Sequence, residues 1–288
     1  MNVSTASSTT DTISGPESLP LLPGSKAASL FASIRPPHNK LFSRYQAMFP
    51  SIEGWLFWEA VLLLQHLNRA QVAEGIVGNF AEIGAYRGKL SLAMATFLNP
   101  DRELLIVNDI FDMPELNTSC SGMGATVSAF AQNFRKLDPD PKYVRLLIKR
   151  SDAVTPEEIG SGIRFFSVDG GHSADETRND MRVAALTLHD RGMIVLDDYF
   201  NQEWPGVAEG VDDYFKQHDD LAPLAAFYNK FVFVKRSSLE WFRNLLQKHA
   251  FDAFCQSNNW LVRARTLHGF DYRLVSTAKA VRPAPPVQ

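Results

Sequence analysis

The sequence predicts a doubly wound α/β fold, a mostly parallel sheet with helices on both faces. Three observations lead to this prediction. Short β-branched or aromatic runs alternate with longer helical patterns, two late runs are separated by one residue, and 45% of the 288 residues are hydrophobic. Short apolar strands alternating with helices are typical of a parallel sheet covered on both faces.

The elements follow one another in a regular order. A helical pattern over residues 53–73 precedes the first strand. The predicted parallel strands cover residues 78–83, 103–108, 143–148, 163–168 and 192–196. The helical patterns that follow these strands cover residues 88–97, 125–137, 173–190 and 205–217. Residues 224–228 and 230–235 are too close for a crossover helix, so they are predicted to pair antiparallel or to form one kinked strand.

The two ends of the chain differ in composition from its centre. Both ends are rich in small residues and proline with little apolar periodicity, which predicts disordered tails. The whole chain is then divided into a tail, a helical cap, one central domain, a helical or mixed extension and a second tail. Their bounds are residues 1–24, 25–77, 78–237, 238–280 and 281–288.

Composition excludes several function classes. A net charge of −3 gives no general attraction to nucleic acid or anionic lipid. The two cysteines, Cys120 and Cys255, form neither a disulfide framework nor a metal-binding spacing. No secretory signal and no apolar stretch of about 20 residues is visible. We therefore expect a cytoplasmic protein with no membrane and no nucleic-acid partner.

A glycine-containing turn follows the first predicted strand. Its residues are Glu82-Ile-Gly84-Ala-Tyr86-Arg-Gly88, and the following helix includes Ser91. Glycines at a strand-to-helix turn let backbone amides approach a ligand. The acidic Glu82 disfavours a pyrophosphate and suits a cationic ligand such as S-adenosylmethionine. Glu82, Gly84, Tyr86, Gly88 and Ser91 are therefore candidate cofactor-binding residues, although glycines that merely permit a tight turn would give the same pattern.

The next two strands end in further polar candidates. Asp109 and Ile110 follow the second strand, where an acidic side chain binds ribose hydroxyls in such folds. Ser151 and Asp152 follow the third strand, where an adenine ring would lie. The alternatives are that Asp109 is an ordinary loop carboxylate or helix cap, and that Ser151 and Asp152 only cap the next turn.

Three carboxylates follow the fourth and fifth strands. Asp169 ends the fourth strand, and Asp197 and Asp198 end the fifth. If the two strands are neighbours, these groups converge where open α/β sheets bind ligands. Oxygen ligands without thiols suit Mg²⁺ or another divalent cation. Asp169 is also a candidate cofactor-binding residue. The alternative to a metal site is that Asp169 contacts the cofactor while Asp197 and Asp198 merely cap the following loop.

His172 lies in a Gly-Gly loop just after Asp169. A histidine can take a proton near neutral pH, so His172 is the candidate base for a hydroxyl substrate, with Asp169 beside it at the catalytic centre. A loop histidine that caps the next helix, or that supports the metal site, would look the same in sequence.

With these motifs in this order, the chain resembles a class I S-adenosylmethionine-dependent methyltransferase. More narrowly, the chain resembles the metal-dependent macrocin and sugar O-methyltransferases of natural-product pathways. The matching stretches are residues 81–88, 108–112 with Pro114, 166–173, and 194–199 with 204–207. The resemblance implies a Rossmann-like, seven-stranded sheet with an antiparallel last strand. It also implies metal ligation by Asp169, Asp197 and Asp198, and cofactor binding around Glu82, Gly84 and Asp109.

One departure from the family concerns the base. Relatives often carry an acidic base after the fourth strand, whereas this chain has Gly170-Gly171-His172 at that position.

The expected function is Mg²⁺-dependent methylation of a small-molecule hydroxyl, on a sugar or a glycosylated secondary metabolite. The rivals are an NAD-dependent oxidoreductase on the same sheet and a non-catalytic binding protein. The apolar helical region before the sheet could form a homo-oligomer interface, and core packing would explain it equally well.

Overall fold

The structure, a computed structural model, describes residues 38–277. The tails predicted at residues 1–24 and 281–288 lie outside the described residues. Two helices come first, α1 (His38–Met48) and α2 (Trp58–Ala73).

The second helix begins later than the sequence pattern predicted. Gly54 has a φ of +141°, which is not a helical value. Its carbonyl oxygen accepts a hydrogen bond from Lys89 Nζ at 3.1 Å. Residues 52–57 therefore lie outside the helix, and Gly54 is bound to Lys89.

The remaining elements alternate as predicted over most of the chain. The strands are β1 (Asn79–Ile83), β2 (Leu105–Asp109), β3 (Val144–Ile148), β4 (Ile163–Val168), β5 (Leu188–Asp197), β6 (Leu221–Phe227), β7 (Lys230–Lys235), β8 (Trp260–Leu267) and β9 (Phe270–Thr277). The helices are α3 (Lys89–Phe97), α4 (Val127–Leu137), α5 (Pro156–Ile159), α6 (Ala174–Thr187), α7 (Pro205–Gln217), α8 (Leu239–Lys248) and α9 (Phe251–Ser257). No helix within residues 38–277 combines the length and the apolar character needed to cross a bilayer.

All nine of these strands form one sheet, in the order β3-β2-β1-β4-β5-β7-β6-β9-β8. The first five are parallel, and β7 pairs antiparallel with both β5 and β6. The doubly wound α/β class is confirmed. The expected count of seven strands is wrong, because the hairpin β8–β9 extends the sheet through parallel pairing of β9 with β6. Trp260, Tyr272 and Val275 bury this hairpin against the rest of the sheet.

Apolar side chains fill both faces of the sheet. One core contains side chains from α1, α2, α3, α4 and α8, and the other contains side chains from α6 and α7. The change in strand order between β1 and β4 opens a crevice at the carboxyl ends of these strands, where ligands bind in such sheets.

Candidate functional site

The turn after β1 lies against the loop after β4. Gly84 has a φ of +79°, and a Cβ atom there would collide with the carbonyl oxygen of Asp169. Both the left-handed backbone and the close approach require glycine. Gly88, with a φ of +81°, is the N-cap of α3, and a Cβ atom there would lie 3.0 Å from the ring of Phe130. Gly84 and Tyr86 line a cavity at this point, whereas Gly88 supports the turn from behind.

Asp109 holds the glycine turn in place. The backbone N–H groups of Ala85 and Tyr86 both donate to its Oδ2 atom at 2.7 Å, and Phe111 N–H donates to Oδ1 at 2.8 Å. Burial raises the pKa of Asp109 in spite of these three donors. Asp109 and Ile110 both line the cavity.

Glu82 and Ser91 lie together behind the turn. The Ser91 hydroxyl donates to Glu82, and both side chains are buried. Burial raises the pKa of Glu82 to about 8, although the Ser91 hydrogen bond opposes this shift. Neither residue is part of the cavity wall.

The rim of the cavity contains the residues after β3. Ser151 lines the cavity, and Asp152 is ion-paired with Arg150 at 2.7 Å. This pairing lowers the pKa of Asp152. Arg150 is also ion-paired with Glu176 at 3.2 Å, so Asp152, Arg150 and Glu176 form one ionic network at the rim.

A long loop, residues 110–125, forms one wall of the cavity. Thr118 Oγ1 donates to Glu176 at 3.0 Å, and Arg150 Nη1 donates to the carbonyl of Leu116 at 3.2 Å. Asn117 accepts hydrogen bonds from the loop's own backbone at 2.9 and 3.2 Å. These contacts fix the loop against the rim of the cavity.

Charged side chains converge at the ends of β4, β5 and β7. Asp169 follows β4, Asp197 ends β5, and Asp198 follows it with a φ of +59°. Lys230 begins β7 opposite Asp197 in the antiparallel register. Its ammonium donates to Asp197 Oδ2 and lies 3.9 Å from Asp169 Oδ2. Burial, reinforced by the charge of Asp197, raises the pKa of both Asp169 and Asp198.

His172 faces the same carboxylates. Its Nε2 atom lies 3.7 Å from Asp198 Oδ2 and 4.0 Å from Asp169 Oδ1, and its ring stacks on Trp204 at 4.3 Å. Across residues 38–277, neither ring nitrogen finds a hydrogen-bond partner. Burial lowers the pKa of His172, although Asp198 opposes this shift. Ligand atoms of Asp169, His172 and Asp198 lie within 4.8 Å of one another, close enough to hold one metal ion.

Residues 81–199 match the family described as "Methyltransferase domain". This stretch of the chain is similar to a methyltransferase domain. The matched region includes the glycine turn and Asp109. It also includes the three clustered carboxylates Asp169, Asp197 and Asp198. The resemblance to class I methyltransferases, inferred from the motifs, is thereby confirmed.

The solved structure of NovP shares the fold of this part of the chain. The O-methyltransferase NovP is 17% identical, with a TM-score of 0.52 over 61% of this chain and 79% of NovP. CalS11, described as a TDP-rhamnose 3′-O-methyltransferase, is 14% identical, with a TM-score of 0.44 over 72% of this chain and 97% of its own. An O-methyltransferase from Bacillus cereus is 10% identical, with a TM-score of 0.47 over 68% of this chain and 88% of its own. No curated protein matches the sequence.

Most of the predicted site residues come together. Gly84, Tyr86, Asp109, Ile110, Ser151, Asp169 and His172 line one cavity. Gly88, Glu82 and Ser91 lie behind it, and Asp152 lies at its rim. Sequence reasoning missed Lys230, although a lysine that opens the otherwise apolar run Phe231–Val234 was a visible signal. It also missed the stacking of Trp204 on His172, which no local pattern reveals.

Proposed function

We propose that the protein transfers a methyl group from S-adenosylmethionine to a hydroxyl of a small molecule, with a divalent cation such as Mg²⁺ at the aspartates. One observation supports this proposal most directly. The glycine turn with Asp109 and the pair Asp169–His172 line the same cavity. A methyl donor bound by the first group would therefore lie next to the groups that can handle a hydroxyl.

The cavity wall suits a cationic, nucleoside-containing cofactor. The turn at Gly84 gives backbone access, and Asp109 and Ser151 offer oxygen atoms for hydroxyl and amine groups. Bound there, S-adenosylmethionine would supply a methyl group activated by its positive sulfonium. Asp169 at the cavity wall adds negative charge that favours such a cation.

The donor set at the far side of the cavity fits a hard divalent cation. Asp169 and Asp198 supply carboxylate oxygens, and His172 Nε2 lies 3.7 Å from Asp198 Oδ2. A cation there would bind the substrate hydroxyl and lower its pKa. Asp169 and Asp198 would hold the cation and orient the hydroxyl toward the methyl donor.

His172 would accept the proton of that hydroxyl. Burial lowers the pKa of the imidazole, so the ring is neutral near pH 7 and has a nitrogen free to take a proton. Stacking on Trp204 fixes the ring plane.

The affinity of the His172→Gln variant for Mn²⁺ distinguishes a base at this position from a third metal ligand. Unchanged affinity with lost methyl transfer supports the base, whereas at least about tenfold weaker binding supports a ligand.

The acceptor we propose is a sugar or a glycosylated secondary metabolite. Trp55 lines the cavity, is 70% exposed and lies 5.5 Å from the ring of Tyr86. Exposed rings at a cavity mouth bind ring-shaped ligands by stacking. Arg87 and Arg150 near the mouth are ion-paired with Glu53 and Asp152, which favours a neutral acceptor over an anionic one.

Calorimetry with S-adenosylmethionine, S-adenosylhomocysteine and NAD tests the proposal. We expect both sulfur compounds to bind and NAD not to bind. Gly84→Ala should weaken S-adenosylmethionine binding by at least about tenfold, because its Cβ collides with Asp169. Gly160→Ala is the matched control, since Gly160 has a similar φ of +82° with open space around it.

Three results would contradict parts of this assignment. Binding of NAD alone would favour an oxidoreductase. Binding of no nucleotide would favour a non-catalytic protein. Equal effects of Gly84→Ala and Gly160→Ala would mean that the glycine turn does not contact the cofactor.

A further inference from the structure

A buried lysine occupies the centre of the carboxylate cluster. Lys230 is 3% exposed, and its ammonium donates to Asp197 Oδ2 while lying 3.9 Å from Asp169 Oδ2. Asp197 is 4% exposed, and its other oxygen accepts the backbone N–H of Asp198 at 3.0 Å. Both oxygens of Asp197 are therefore engaged by the protein itself.

The strands fix this arrangement. Asp197 ends β5 and Lys230 begins β7 as direct partners in the antiparallel register. The backbone N–H of Asp198 donates to the carbonyl of Asn229 at 2.9 Å, and Asp198 adopts a φ of +59°. Asp197 is thereby held toward Lys230, whereas Asp198 is held toward His172.

The positive charge of Lys230 should weaken metal binding at the neighbouring aspartates. Three aspartates close together need positive charge, and Lys230 supplies one such charge from within the chain. A divalent cation at Asp169 would lie close to this ammonium and would be repelled by it. It would also find Asp197 already paired.

We propose that Lys230 is a built-in competitor of the divalent cation. Lys230 keeps Asp197 out of the ligand set, leaves Asp169 and Asp198 to bind the metal, and sets a low affinity for it. The inference rests on the metal site of the proposed function. It gives Lys230 a positioning role that differs from simple support of the fold, because removing Lys230 should improve a binding property.

The test is Mn²⁺ titration of the full chain, followed by electron paramagnetic resonance. Lys230→Met should bind Mn²⁺ at least about tenfold more tightly than the unchanged protein, because the repulsion is removed and Asp197 is released. Lys235→Met is the matched control on the same strand, since Lys235 pairs at 2.9 Å with the exposed Asp190. The control should leave Mn²⁺ affinity unchanged. Equal or weaker binding by Lys230→Met would overturn the proposal, and so would binding by neither protein.

A second variant covers the case in which Lys230→Met does not fold. The double change Lys230→Gln with Asp197→Asn keeps a neutral hydrogen-bonding pair in place of the ion pair. It should bind Mn²⁺ at least as tightly as the unchanged protein, because Asp197 is not a ligand. A loss of about tenfold or more would show that Asp197 is a ligand and would overturn the proposal.

Calorimetry with S-adenosylmethionine on the same preparations keeps this inference separate from the proposed function. Absence of S-adenosylmethionine binding in the unchanged protein would refute the proposed function whatever the Mn²⁺ result. Normal S-adenosylmethionine binding with no gain of Mn²⁺ affinity in Lys230→Met would refute only the role of Lys230.

Discussion

At the amino ends of the parallel strands, the buried Arg164 guanidinium donates two hydrogen bonds to Glu103, at 2.7 and 3.1 Å, and a third to Asn68. Glu103 also accepts the backbone N–H groups of Gly78 and Asn99 at 2.9 and 2.7 Å. At the carboxyl ends of the same strands, three aspartates share one lysine. The buried Arg164 and Glu103 match one for one, whereas at the carboxyl end three carboxyl groups face one ammonium.

This difference separates a structural network from a functional one. Buried charge is tolerated when geometry and hydrogen bonds compensate for lost hydration, as they do around Arg164. An uncompensated cluster raises the free energy of the folded protein unless a ligand supplies the missing charge. The network at the amino ends of the strands should therefore stabilise the folded protein. The cluster at their carboxyl ends should destabilise the folded protein and serve ligand binding.

The largest expected effect is at the amino end. Arg164→Met leaves Glu103 buried without its cation, which should lower the free energy of unfolding by about 3–5 kcal/mol in urea titrations. Arg182→Met, at an exposed position of α6, should change it by no more than about 0.5 kcal/mol. Similar stability in the two variants would mean that the amino-end network is not structural. S-adenosylmethionine binding by folded Arg164→Met should be unchanged.

The opposite pattern is expected at the carboxyl end. Asp198→Asn removes a carboxylate whose pKa is raised by burial and by Asp197, so the melting temperature should hold or rise. Methyl transfer should fall by about 100-fold or more, because the cation that would bind the acceptor hydroxyl loses a charged ligand. Release of S-adenosylhomocysteine measures the reaction, and Asp101→Asn at an exposed loop is the control. If Asp198→Asn were less stable and fully active, Asp198 would have a structural role and the functional assignment of the carboxyl end would be wrong.

The sequence predicted the two ends unequally for a physical reason. Asp109 ends a strand, and Gly84 and Asp169 each follow one directly, so strand order alone brings them to one crevice. The pairing of Arg164 with Glu103 joins residues 61 positions apart, and that of Lys230 with Asp197 depends on an antiparallel register. No local pattern encodes either pair.

The C-terminal hairpin was missed for a related reason. Strand β8 includes Arg263 and Arg265 and has several exposed positions, so its sequence lacks the apolar run of the central strands. Pairing of β9 with β6, rather than its own periodicity, makes it part of the sheet. Elements specified mainly by long-range pairing cannot be read from residue spacing.

The smallest expected effect concerns Asp180 of α6, beneath the same carboxyl edge. Its side chain is completely buried, which raises the pKa of Asp180 to about 8. Between about pH 4 and pH 8 the unfolded chain releases this proton and the folded chain keeps it, so stability falls as pH rises by at most about 1.4 kcal/mol per pH unit.

Asp180→Asn should remove this slope without disturbing the packing, because the side chains have the same shape. Urea titrations at pH 6 and pH 7 should show the unchanged protein losing about 1 kcal/mol more than the variant between the two pH values. Asp175→Asn, at an exposed position of the same helix, should keep the original slope. Parallel pH dependence in all three proteins would mean that burial does not raise the pKa of Asp180 in the folded protein. The excess of carboxyl groups over cations at the carboxyl end would then be limited to Asp169, Asp197 and Asp198 around Lys230.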